Sequence, residues 1–193
     1  MNKALSSFFI FWSFGAVFGL GGCAYRFGLA ERSLPGGYSQ LAIPIFKNKS
    51  AEVGIEPLFT NAIIRRFARS QVAKVTDKES SPLTLEGTIL RVDTVAGAIE
   101  DRATIKALPQ NAVLITQYRL VVAAMIILKR KSDDKILWQG SFSNEKVYDP
   151  PRIGTPIVNS ANATYNQSAR TQVLSLLAEE MMAEAHDRIT ENY

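Results

Sequence analysis

From Pro82 the chain alternates between apolar and polar positions. Leu83, Leu85, Gly87 and Ile89 fall on one side and Thr84, Glu86 and Thr88 on the other, the period of two that a half-buried strand imposes. The phase slips at Leu90 and Val92, which predicts a β-bulge. Residues 97–112 read as a long hairpin loop. Residues 113–129 form the longest apolar stretch beyond the N-terminal region. Its even positions Leu114, Tyr118, Leu120, Val122, Ala124, Ile126 and Leu128 make one apolar row. The odd row starts polar at Gln117 and Arg119 and turns apolar at Val121, Ala123, Met125 and Ile127. The distal half is therefore expected to be covered on both faces, by the protein's own helices or by a partner. After a charged turn at 129–135, Ile136, Trp138, Gly140 and Phe142 alternate with Leu137, Gln139, Ser141 and Ser143. The two strands around this turn predict an antiparallel hairpin.

Other segments carry the helical period. In residues 56–70, Phe59, Ile63 and Phe67 repeat at spacing four beside Leu58 and Ala62, and Pro57 suits the first turn. Arg65, Arg66 and Arg69 occupy the other face, as a solvated face or as anion contacts. Residues 167–190 predict a long helix with Leu174, Leu177, Ala178, Met181, Ala185 and Ile189 on its core side. Residues 25–30 read as a short strand, 34–39 as a Pro-Gly-Gly turn, and 148–165 as a long loop. Residues 40–46 read as a strand in which Pro44 cannot donate a ladder hydrogen bond, so it belongs at an edge or a bulge. The order strands, helix, meander, helix predicts an α+β two-layer sandwich: an antiparallel or mixed four-stranded sheet with two helices on one face.

The N-terminal region has a different pattern. Lys3 precedes an apolar run from Phe8 to about Leu20, and small residues lead to Cys23. This is the layout of an export signal over residues 1–22. A dinucleotide loop would need a strand before the glycines and a helix after them. A permanent span would need about 20 apolar residues. The 193 residues fit one domain, 23–193, after that signal. A formal charge of +4 does not demand nucleic acid as a partner. One cysteine and one histidine supply neither an internal disulfide nor a Cys/His zinc set, and no cofactor is expected.

Leu20-Gly21-Gly22-Cys23 resembles the lipobox of bacterial lipoproteins. That resemblance implies cleavage after Gly22 and acylation of Cys23, and Ala24 after the cysteine implies outer-membrane sorting. Three acyl chains exceed the two signals that stable anchoring needs. The cysteine is followed by Tyr25-Arg26-Phe27, then the Pro-x-Phe-x-Asn element at Pro44, Phe46 and Asn48. A helix, Leu83–Ile89, the meander through Trp138–Tyr148 and a long terminal helix complete the order. Together these resemble the LptE-like LPS-assembly lipoproteins. The resemblance implies a non-enzymatic lipoprotein, anchored on the periplasmic side of the outer membrane. It would plug and help assemble the LPS-translocon β-barrel (an LptD-like partner) and bind LPS.

Lipid A carries phosphates, so an LPS site needs converging cations. Lys129, Arg130, Lys131 and Lys135 form the densest group. Asp133 and Asp134 dilute it, and a solvated hairpin tip would look the same. Arg102 and Lys106 are weaker candidates. The motifs of serine hydrolases, zincins and P-loops are absent from the sequence, and His186 reads as a solvated helical residue. An adaptor lipoprotein of similar fold with another partner is the alternative.

Overall fold

A computed structural model describes residues 32–100, 114–149 and 163–191. The export signal, Cys23, the 25–30 segment, Arg102, Lys106 and most of the two long loops lie outside the described residues.

The strands are β1 (Gln40–Ala42), β2 (Lys47–Asn48), β3 (Lys74–Thr76), β4 (Leu83–Glu100), β5 (Leu114–Arg130) and β6 (Ile136–Tyr148); the helices are α1 (Glu56–Ser70) and α2 (Ala163–Thr190). The sheet has six strands in the order β3-β1-β4-β5-β6, with β2 also pairing β4. The expected four-stranded sheet is thus too small. Pro44 divides the 40–46 segment, so the chain leaves β1 and rejoins the sheet as β2. Lys74–Thr76, which has no alternation long enough to read, adds an edge strand. The β1, β2 and β3 pairings are parallel, and β4-β5-β6 is the antiparallel meander.

The Pro-x-Phe-x-Asn element has a local physical role. After Pro44, Phe46 is buried and donates its N–H to the Thr60 hydroxyl on α1 (3.0 Å). Asn48 then organises the following turn: its Oδ1 accepts from the Ser50 N–H (2.9 Å) and hydroxyl (2.7 Å), and its Nδ2 donates to Glu56 Oε1 (3.1 Å). The element thereby sets where α1 begins. No side chain caps α1 at its start, and Pro57 stands in its first turn. The helix ends at Gln71, left-handed with φ 54°, whose N–H returns to Phe67 O at 3.0 Å.

The bulge expected at Leu90 is present: Ile89 pairs Ala124 and Arg91 pairs Ala123, which leaves Leu90 out of register. β4 then runs on through residues 97–100, which the sequence read as loop. A second irregularity, between Leu128/Trp138 and Lys129/Ile136, was not expected. It puts Leu137 out of register, so Ile136 is 49% exposed and does not share the core face of Trp138 and Phe142. A slip of one residue exchanges the faces of a strand.

Both helices pack on the face formed by Leu85, Ile89, Leu120, Val122, Ala124, Ile126 and Leu128. Leu177, Met181 and Ala185 of α2 and Phe59, Ile63 and Phe67 of α1 complete this core. The odd row of β5, Val121, Ala123, Met125 and Ile127, lies on the other face and is half-buried. Among the described residues no helix covers it, so the two-sided cover expected from the apolar run is not supplied by α1 or α2.

Candidate functional site

The basic turn is built by the β5–β6 register, which brings Lys129 and Arg130 to the end of β5 and Lys135 next to β6. Most of its charge is already engaged. Lys129 Nζ donates to Glu86 Oε2 on β4 at 2.8 Å. That bond, chiefly, holds the Glu86 carboxyl below its ordinary range, with Lys47 and Lys78 adding to the effect. Arg130 donates through Nε and Nη2 to the two oxygens of Asp133 at 2.9 and 2.8 Å. This fork holds Asp133 down at about 2 and raises Arg130 further, with help from Tyr38. Lys131 Nζ donates to the carbonyls of Lys78 and Glu79 at 2.9 and 2.7 Å, and its N–H to Pro82 O at 2.9 Å. It fastens the turn to the segment between β3 and β4. Among the described residues the Lys135 ammonium has no hydrogen bond, although its charge helps to lower Asp133.

A second polar constellation was not anticipated. His186 is not solvated but fully buried (0% exposed). Its Nε2 is 2.7 Å from Ser70 Oγ on α1 and its Nδ1 is 3.1 Å from Asp187 Oδ1. An ionised carboxylate only accepts, so Nδ1 carries the proton and Nε2 accepts from Ser70. Burial pushes the imidazole below its ordinary pKa, against the opposing pull of Asp187. Asp187 also receives Arg32 (2.6 Å) and Arg66 (3.1 Å). Its partial burial works upward, but hydrogen bonds from His186, Arg66 and Arg32 together hold it at about 2.

The order Ser70, His186, Asp187 has the contacts of a nucleophile, base and orienting acid. Acyl transfer further needs N–H donors aimed at the developing oxyanion. Ser70 ends a helix, and a helix end turns carbonyl oxygens, not N–H groups, toward what lies beyond it. What this cluster does is join Arg32, α1 and α2 through one carboxylate. The helical phase holds a faint sign of it: Met182, His186 and Thr190 repeat at spacing four and are all buried, a second stripe on α2 beside the core row.

The three arginines of α1 divide. Arg65 pairs Glu179 and Arg66 pairs Asp187, so both bind α2, whereas Arg69 has no ion pair among the described residues. The same residues contain no group of three or more His, Cys, Asp or Glu side chains placed to hold a metal ion. They also contain no helix long and apolar enough to cross a membrane.

No curated protein matches this chain. Among solved structures it is similar to PelC from Paraburkholderia phytofirmans, crystallised as a dodecamer, at 12% identity with a TM-score of 0.48, covering 80% of this chain and 90% of that one. It is similar to the hypothetical protein CT253 from Chlamydia trachomatis at 8% identity and TM-score 0.47, covering 80% and 99%. Rare lipoprotein B from Shewanella oneidensis aligns at 12% identity and TM-score 0.41, covering 78% and 90%. The family described as LptE, Lipopolysaccharide-assembly, matches residues 38–192. That match takes in the sheet, both helices, the basic turn and the Asp187 cluster apart from Arg32, and by it the chain belongs to the LptE lipopolysaccharide-assembly family.

Proposed function

We propose that the protein is an outer-membrane lipoprotein, acylated at Cys23 after removal of residues 1–22, that plugs and helps to assemble the LPS-translocon β-barrel and binds LPS. The observation that carries this reading is the family match over residues 38–192, with its role in LPS assembly. Two further features support it. Leu20-Gly21-Gly22-Cys23 ahead of the matched region has the form of a lipoprotein processing site. The half-buried apolar row Val121, Ala123, Met125 and Ile127 is a surface that a protein wall could cover. Its task is binding and positioning, without covalent chemistry. LPS phosphates would meet the turn of Lys129, Arg130, Lys131 and Lys135, where Lys135, which has no hydrogen-bond partner for its ammonium among the described residues, would answer them directly.

The test is recovery of the tagged protein from outer membranes in mild detergent. A stoichiometric large β-barrel of the LPS-export kind is the expected companion. Recovery with other envelope proteins and no such barrel would replace the plug by an adaptor role.

A further inference from the structure

The cleft between the last turns of α1 and the edge strand β3 is outside the reading above. It has a volume of about 520 Å³ and is lined by Ile64, Phe67, Ala68 and Gln71 on the helix side and Ala73, Lys74 and Val75 on the strand side. We propose that it is a docking groove for an extended segment of a partner protein, with apolar side chains at alternate positions and an acidic group opposite Lys74.

The backbone provides the first argument. β3 is the last strand of the sheet order, with β1 on one side only. Lys74 gives its N–H to Ser39 O on the β1 side at 2.8 Å. Successive residues of a strand alternate, so Val75 turns its N–H and C=O to the open edge. An added strand pairs with those groups and directs every second side chain to one face. That face is the cleft, with buried Phe67 as its floor and the small side chain of Ala68 leaving room at its mouth.

Charge and polarity then select the occupant. Arg65 and Arg66, close by on α1, are engaged by Glu179 and Asp187. Lys74 has no ion pair among the described residues, nor has Arg69, the residue after Ala68. An uncommitted ammonium on the rim of an apolar cleft favours a carboxylate and repels cations. A hydrocarbon chain would fill the cleft but leave the Val75 backbone groups covered and unpaired, which is costly. A peptide satisfies both. The shortness of β3 limits pairing to segments that also fit the cleft. Neither the barrel nor the LPS reading is needed for this assignment.

A phage-displayed library of octapeptides selected on the purified full chain in detergent supplies the probe, and one enriched peptide is then synthesised. Expected are alternate apolar positions with an Asp or Glu among the selected sequences. The bound peptide should slow hydrogen exchange at the Val75 amide, and both Ala68→Trp and Lys74→Glu should weaken it at least tenfold. Ala68 and Lys74 are exposed, so both variants should fold, which circular dichroism verifies; if Ala68→Trp does not, Lys74→Glu decides. Peptides without the pattern, an unprotected Val75 amide, or unchanged affinity in the folded variants would overturn the proposal. So would a concentration-dependent dimer, abolished by Ala68→Trp, in a chain that binds no peptide.

Discussion

The ring of Phe46 lies against the backbone of Gly87, where a β-carbon would come within 2.2 Å of it. Phe46 has no room to yield, because it is buried and its own N–H is held by Thr60. Gly87 lies in the early part of β4, a strand inside the sheet, opposite Ile126 of β5. The contact locks the strand that follows Pro44 onto the centre of the sheet.

Gly87→Ala should therefore destabilise the fold by about 1–3 kcal/mol, the range for overpacking. Phe46→Ala should cost about 3–5 kcal/mol through the cavity it leaves. The double variant should be little worse than Phe46→Ala, since the clash is gone. Urea unfolding of the variants measures this, and simple additivity of the two losses would show that the ring and the glycine act independently.

His186 makes stability depend on pH. Its pKa in the folded state is below its ordinary value, so on acidification the unfolded chain takes up a proton first. The folded state keeps its full advantage above about pH 6.5, the unfolded imidazole's pKa, and loses it as pH falls from there toward the lower folded value. Unfolding midpoints measured from pH 7.5 to 5 should drop over that window, and His186→Gln should flatten the profile. Asp187 acts lower: held at about 2, its contribution is present above the ordinary Asp value of about 3.9 and disappears as pH falls toward 2. Asp187→Asn should remove that lower limb.

The lysines of the turn should separate by role. Lys131→Ala releases the carbonyls of Lys78 and Glu79 and should cost about 0.5–1 kcal/mol, the lower range for a hydrogen bond. Lys135→Ala should leave stability unchanged and weaken binding to LPS micelles. Thermal melts and LPS titrations on the same samples distinguish them. A loss of LPS affinity in Lys131→Ala but not in Lys135→Ala would place the anion contact on the other side of the turn.

Cys23→Ala should yield a protein that is neither cut at this point nor acylated. Mass measurement of the membrane fraction gives the result directly. An acylated Cys23→Ala product would remove the basis for the proposed lipid anchor.

Much of the fold was legible in short-range pattern. The boundaries of α1 follow from Phe59, Ile63 and Phe67 with Pro57 ahead of them, and the β4 bulge from the break in alternation at Leu90. These are properties of one element against a single apolar face, and the side-chain period records them. The bulge at Leu137 was not legible, because Ile136 and Trp138 are both apolar and fit either phase. β3 is too short to carry a period. The basic residues of the turn stand together in the sequence, yet a row of letters does not show that Glu86, Asp133 and two backbone carbonyls engage most of them.

The linear sequence by itself determined the α+β class, both helices and the long meander, since each depends on neighbours a few residues apart. Tertiary structure alone decided what becomes of the charges. Asp187 meets Arg66 from 121 positions away and Arg32 from 155, and Ser70 and His186 come together only because α1 and α2 pack on the same face of the sheet. Whether a cation is spent or free, and whether a histidine is wet or buried, depends on which distant group the fold brings beside it, and on how much water that contact excludes.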